Sequence, residues 1–204
     1  MRVVSIASPS FGSNTYLLIA DGQAFVVDPA VSSAAVFSAA DTEGVCLQGI
    51  LLTHGHFDHM LSVEAIREAA KIPVMIHKDD AELLSDGKKN AFYAVFGKDR
   101  AFPPADRLLK DGDALTLGSE TIRVLHTPGH TRGSCCYVCG EHLITGDTVF
   151  AEGFGRYDLY GGSEAMLKSS LSHLRTLNPK LRIYPGHGPS AFLGDALDTF
   201  AYFL

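Results

Sequence analysis

Hydrophobic and polar positions along the 204-residue chain fall into two batches of short strand-like runs, each followed by helix-like stretches. Apolar-rich segments at Val3 to Ile6, Asn14 to Ala20 and Gln23 to Asp28 open the chain. The Asp21-Gly22 pair between the last two is a hairpin signal, so the start reads as a β-meander. Ile50 to Leu52 is a short apolar run, Ser62 to Ala70 has helical spacing, PVMIH is a strand ending at His77, and Asp79 to Ser85 reads as a polar helix. Strands return between Asp113 and Gly146 as ALTL, TIRVLH, SCCYV and HLIT, separated by glycine-containing turns. From Ser163 to Leu177 a helix is expected, because Leu167, Leu171 and Leu174 recur on one helical face before Asn178-Pro179 stops it. The strand RIYP and a terminal helix from Ala191 to Phe203 complete the pattern. Two such batches predict an α/β protein whose two sheets pack face to face with helices outside, an αββα four-layer sandwich.

Composition narrows this picture. Hydrophobic residues make up 46% of the chain, enough for a substantial core, and no repeat, low-complexity stretch or linker divides it. Residues 1–204 are therefore expected to form a single domain. Lys and Arg total 17 against 23 Asp and Glu, a net charge of −6 with no basic run, so nucleic acid is not an expected partner. The opening MRVVSIASPSFGSN is too short in apolar residues for a signal segment, and no run approaches the ~18 residues of a spanning helix. No membrane association and a cytoplasmic location are the expectations. Cys46, Cys135, Cys136 and Cys139 are read as buried free thiols, since CCYVC sits in a strand and a chain of this length needs no disulfide staple.

The densest chemistry is THGHFDH, Thr53 to His59, directly after the apolar GILL. His54 and His56, at i and i+2 in an extended or tight turn, can converge on one point, while Asp58 and His59 begin a helical turn whose positive end suits a carboxylate. Neutral imidazoles and carboxylates bind zinc, iron or manganese, and four such groups in six residues can serve two metals. Similar chemistry recurs downstream. His130 lies in TPGHTRGS, Asp147 in ITGDTVF and His187 in YPGHGPS, each in a glycine-containing turn at the end of a strand-like segment, where a rigid scaffold presents functional groups.

This set resembles the metallo-β-lactamase superfamily, whose signature is HxHxDH followed by His, Asp and His. The resemblance spans essentially the whole chain and implies the same αββα sandwich. It further implies that His54, His56 and His130 hold one metal, that Asp58, His59 and His187 hold a second, and that Asp147 bridges them. Asp147 stands where true zinc β-lactamases usually carry Cys or Ser, and RNA-processing relatives need a large inserted domain. TPGHTRGS and GDTVFAEGFGRYDLYGG are instead similar to the glyoxalase II-like branch, whose members hydrolyse hydroxyacylglutathione thioesters. The implied activity is thioester hydrolysis by a hydroxide held between two divalent ions, zinc first with iron or manganese as alternatives, and Asp58 orienting that hydroxide. Only 17 residues follow His187, so the C-terminal helical domain that supplies the glutathione site in full-length glyoxalase II is expected to be absent, leaving the thiol carrier open.

Two other readings share these residues. A persulfide dioxygenase uses the same scaffold with one iron at positions matching His54, His130 and Asp147, and a metal-binding module without catalysis needs ligand spacing alone. Arg156 and Tyr157 fall in the family's substrate-side loop and are candidate substrate contacts. Asp28 is a candidate support for a ligand histidine, or simply a turn-forming Asp-Pro. The aromatics Phe92, Tyr93, Phe96 and Phe102 either wall the pocket or form a satellite core or a homo-oligomer contact. His77, His126, His142 and His173 match no motif position and are expected to be structural or exposed.

Overall fold

The computed structural model describes residues 1–6 and 12–203; positions 7–11, part of the opening stretch read as too short for a signal segment, lie outside the described residues. Six strands form the first sheet in chain order: β1 (Arg2–Ile6), β2 (Thr15–Ala20), β3 (Gln23–Val27), β4 (Cys46–Leu51), β5 (Val74–His77) and β6 (Arg107–Leu109). The first three make the antiparallel meander, and β3 through β6 run parallel. Parallel neighbours require crossovers. These contain α1 (Ser33–Glu43), α2 (Val63–Ala70), and a 3-10 turn (Lys78–Leu83) followed by α3 (Phe92–Phe96).

The second sheet begins as the antiparallel run β7 (Ala114–Leu117), β8 (Glu120–His126), β9 (Cys135–Cys139) and β10 (His142–Gly146). A small hairpin of β11 (Val149–Phe150) and β12 (Gly153–Phe154) and the helix α4 (Glu164–Leu174) then lead to β13 (Arg182–Pro185), parallel to β10, and to the edge strand β14 (Ala191–Phe192). α5 (Leu193–Asp198) and a 3-10 turn (Ala201–Phe203) close the chain.

Strand alternation divides the core into three slabs. Along β2, Tyr16 and Leu18 point between the sheets and meet Leu115, Ile122, Val124 and Tyr137 from the second sheet. Leu17 and Ile19 point the other way, into a slab shared with Val63 and Ile66 of α2. On the far side Leu143 and Ile183 pack under Leu167, Leu171 and Leu174, the helical face expected from the sequence. Helix, sheet, sheet, helix is therefore the observed layering. Among the described residues no helix is long and apolar enough to cross a membrane.

Several expectations change in detail. α1 was not anticipated because SAAVFSAADTE buries only Val36 and Ala40, one turn apart; Ser32 caps its start and Gly44, at φ 64°, ends it. β4 begins at Cys46, earlier than the apolar run suggests, because its first residues are partly exposed. Cys46 is accordingly exposed, a correction to the expectation of four buried thiols, whereas Cys135, Cys136 and Cys139 are buried and all four are free. The terminal helix is shorter than expected. Ala191 and Phe192 pair with Ile183 and Arg182 at the sheet edge, so helical structure starts only at Leu193.

Candidate metal centre

The histidine-rich turn follows β4 directly, and its shape is set by hydrogen bonds from behind. Asp28, at the end of β3 with φ 47°, accepts the Thr53 N–H at 2.8 Å and the Thr53 hydroxyl at 2.6 Å, and it faces His59 Nδ1 at 3.1 Å. The sequence candidate Asp28 thus supports the turn and a ring nitrogen together. A short 3-10 turn (Phe57–His59) then carries Asp58 and His59. His130 comes from the β8–β9 loop, Asp147 from the end of β10 and His187 from the end of β13.

These loops meet in one cluster. His54 Nε2 lies 3.2 Å and His56 Nδ1 2.9 Å from His130 Nε2, and the ligand atoms of this buried trio all fall within 4.8 Å of one another. Asp58, His59 and His187 form a second such trio. Asp147 stands between them: His130 and His187 Nε2 are each 3.5 Å from its Oδ2, and His59 Nε2 is 3.5 Å from its Oδ1. The fit is close enough that position 186 must be glycine, since a Cβ there would sit 2.0 Å from Asp147 Oδ1 and 2.8 Å from His59 Cε1.

Ring orientation follows from the outer nitrogens. His59 Nδ1 faces Asp28, His130 Nδ1 bonds the Arg156 carbonyl at 2.6 Å, and His54 Nδ1 lies 3.1 Å from the Thr53 hydroxyl. With hydrogen on those nitrogens, the Nε2 lone pairs of all three rings turn into the cluster. Among the described residues, His56 Nε2, His59 Nε2 and Asp147 Oδ1 are buried and have no hydrogen-bond partner. Each such orphan costs about 1–3 kcal/mol, and His59 Nε2 and Asp147 Oδ1, 3.5 Å apart, fit a cation that would satisfy both.

The charges are arranged to suit. Burial, together with the neighbouring rings His59 and His130, holds His54 well below the usual imidazole value, and burial with His130 takes His56 down to about 3. Both are neutral at pH 7, the form in which an imidazole can hold a metal. Burial opposes charging of His59 and His187 as well, yet Asp58 and Asp147 outweigh it and raise them to about 9 and about 10. Burial would raise Asp58 and Asp147, but the adjacent His59 and His187 keep Asp58 well below the carboxylate range and Asp147 at about 2. The Ser13 hydroxyl donates to Asp58 Oδ2 at 2.8 Å.

Arg156 and Tyr157 are placed differently from one another. Arg156 reaches the cluster through its carbonyl, while its exposed guanidinium makes a two-point bond to Asp158. Tyr157 stacks toward Phe203 in the C-terminal aromatic group, at 6.2 Å. Among the aromatics, Phe102 is buried in the outer core, whereas Phe92 and Phe96 contact Phe57 edge-on, the residue between His56 and Asp58, and Tyr93 and Phe96 are largely exposed. His77 is buried and stacks on His126 at 4.0 Å with planes 12° apart. With Asp79 they form a further compact group, but parallel rings do not aim their lone pairs at one point.

Sequence reasoning missed Ser13, Thr53 as a hub, and Asp80. Asp80 is fully buried and accepts from Gly55 N, Gly133 N and the Thr131 hydroxyl, beside both histidine loops. Only the i, i+3 burial of Asp80 and Leu83 in the 3-10 turn distinguishes it, and a polar helical reading of that segment conceals this.

The chain matches the Metallo-beta-lactamase superfamily model over residues 9–187. It is 34% identical over 180 residues to the Bacillus subtilis protein described as "Probable metallo-hydrolase YqgX", covering 87% of this chain and 85% of that protein. A structure described as "BLEG-1 B3 metallo-beta-lactamase" superposes with a TM-score of 0.91 at 32% identity, covering 99% of both chains. Another, "TTHA1623 in a di-iron-bound form", gives a TM-score of 0.86 at 32% identity over 98% of this chain and 99% of that one. Shared layering, a matching family model across most of the chain and full-length relatives converge: this protein belongs to the metallo-β-lactamase superfamily.

Proposed function

We propose that the protein is a metal-dependent hydrolase of small thioesters, glyoxalase II-like in its chemistry. His54, His56 and His130 hold one divalent ion, Asp58, His59 and His187 hold a second, and Asp147 lies between them. The observation that carries this reading is the Asp147 carboxylate, 3.5 Å from nitrogens of both trios. The description of YqgX as a probable metallo-hydrolase supports the reaction class, and the di-iron form of TTHA1623 supports a fold that takes two ions. Imidazole and carboxylate donors suit zinc, iron and manganese alike.

Divalent ions in this site would polarise a carbonyl oxygen and bring the pKa of water down toward ~7. The chain supplies orientation. Asp58, fixed by the Ser13 hydroxyl and turned toward His59 and His187, offers a carboxylate oxygen that can accept a hydrogen bond from water and aim it. Asp28 and the Arg156 carbonyl hold His59 and His130 in one tautomer, so the ligand set needs no rearrangement. Side-chain nucleophiles are not needed: burial pushes the Cys136 thiol to about 11 and the Cys139 thiol to about 12. Opening the Arg156–Asp158 pair would free a guanidinium fork for a substrate carboxylate, with Tyr157 beside it.

The test is a panel of thioesters, including S-lactoylglutathione and short acyl-coenzyme A esters, run with and without oxygen. Hydrolysis that is unaffected by oxygen removal and lost on chelation is the expected result. Oxygen consumption with glutathione persulfide, and no thioester cleavage, would replace this reading with the dioxygenase. β-Lactam hydrolysis is a second reading favoured by one observation, the 0.91 TM-score to BLEG-1, and a chromogenic cephalosporin in the same panel decides it.

A further inference from the structure

The 3-10 turn that follows β5 lies wedged between the two loops that supply the first histidine trio. A Cβ on Gly55 would meet Leu83 Cβ at 2.6 Å, and a Cβ on Gly133 would meet Asp80 N at 2.6 Å, so both loops press on this turn at backbone distance. Gly55 sits between His54 and His56, and Thr131 directly follows His130. From the turn, Asp80 reaches both loops. Its Oδ2 accepts the Gly55 N–H at 2.9 Å and the Thr131 hydroxyl at 2.6 Å, and its Oδ1 accepts the Gly133 N–H at 2.6 Å. The carboxylate is 0% exposed. At their roots the two segments are joined by the Cys135 N–H to Thr53 carbonyl bond, so Asp80 acts further out, where the imidazoles face each other.

We propose that Asp80 is a positioning residue for the metal centre: one buried carboxylate ties the His54/His56 loop to the His130 loop and fixes the separation of the three rings. A single carboxylate can do this because both its oxygens only accept, whereas the isosteric amide has one acceptor oxygen and must give up either the Gly55 or the Gly133 N–H. Without that tie the outer parts of the two loops, still joined at their roots, would have to be drawn together by the metal. The inference rests on the first ligand set of the proposed function and is indifferent to which substrate is cleaved.

The experiment is competition for zinc between the metal-stripped full chain and a chromophoric chelator, which yields two stepwise affinities. Asp80→Asn is expected to weaken one of them ~10–100-fold, the usual effect of losing a partner behind a ligand, and to leave the other in place. The same loss should persist in a His187→Ala background, which removes the second set. Thr131→Val, which deletes one Asp80 bond, should give a smaller loss of the same sign and serves as the test if Asp80→Asn does not fold. Leu115→Ala, in the core between the sheets, should lower thermal stability and leave both zinc affinities unchanged. Unchanged affinities in the folded Asp80 or Thr131 variant would overturn the role of Asp80 alone. An unmutated chain that takes up no zinc would overturn the ligand assignment as well.

Discussion

Metal uptake should be coupled to the loss of about two protons. In the metal-free site His59 and His187, at about 9 and about 10, are both protonated at pH 7, whereas His54 and His56 are neutral and Asp58 and Asp147 are ionised. A cation bound to the second trio must displace the protons on His59 and His187, whereas His54 and His56 of the first trio carry none to displace. The combined affinity should therefore rise by roughly two decades per pH unit between about pH 7 and 9, each ring giving up about 1.4 kcal/mol of proton competition per unit. Isothermal calorimetry in buffers of different ionisation enthalpy, at a fixed pH of 7, counts the released protons directly. A count near zero, or an affinity flat across this range, would refute the assignment of imidazolium rings to the second trio.

The same shifts set the stability of the metal-free protein. The raised values of His59 and His187 contribute stability that is fully present below about pH 6.5 and is lost as pH rises through about 9 to 10. The lowered values of Asp58 and Asp147 contribute stability present above the ordinary carboxylate range and lost as pH falls toward about 2. These are two faces of one set of ion pairs. The metal-free melting temperature should fall between pH 7 and 10, and the metal-loaded protein, whose cations stand in for those protons, should show a smaller change.

Three substitutions separate support, space and core. Asp28→Asn presents an N–H group to His59 or Thr53 and should weaken zinc binding ~10–100-fold at the second trio, read by chelator competition. Gly186→Ala places a methyl 2.0 Å from Asp147 Oδ1 and should cut metal content and turnover together, read by elemental analysis beside an activity assay. Leu171→Ala, on the buried face of α4, should cost about 2–5 kcal/mol in urea denaturation and leave metal content unchanged.

What the sequence made legible was local or strongly periodic. His54, His56, Asp58 and His59 announce themselves because spacing alone places them in one turn, and Leu167, Leu171 and Leu174 because a helical face recurs. The alignment of Asp147 and His187 with that turn came from the resemblance, since β10 and β13 are neighbours in the second sheet while β4 lies in the first, and only the packing of the two sheets brings their ends together. α1 escaped because small residues bury so little of it. Asp80 escaped because its partners, Gly55, Thr131 and Gly133, are 25 to 53 residues away and two of its bonds go to backbone N–H groups, which leave no side-chain signature. Arg156 was read for its side chain, while its carbonyl is what touches the site, a role any residue there could fill.

The proposed centre holds two ions, with Asp147 between the trios. The most direct test is elemental analysis of protein purified from cells grown without added metal and, separately, of metal-stripped protein re-equilibrated with zinc, iron or manganese. Close to two metal atoms per chain are expected for the unmutated protein, falling to one or fewer in Asp147→Ala. A single atom per chain with every metal offered, and the same content in Asp147→Ala, would contradict it.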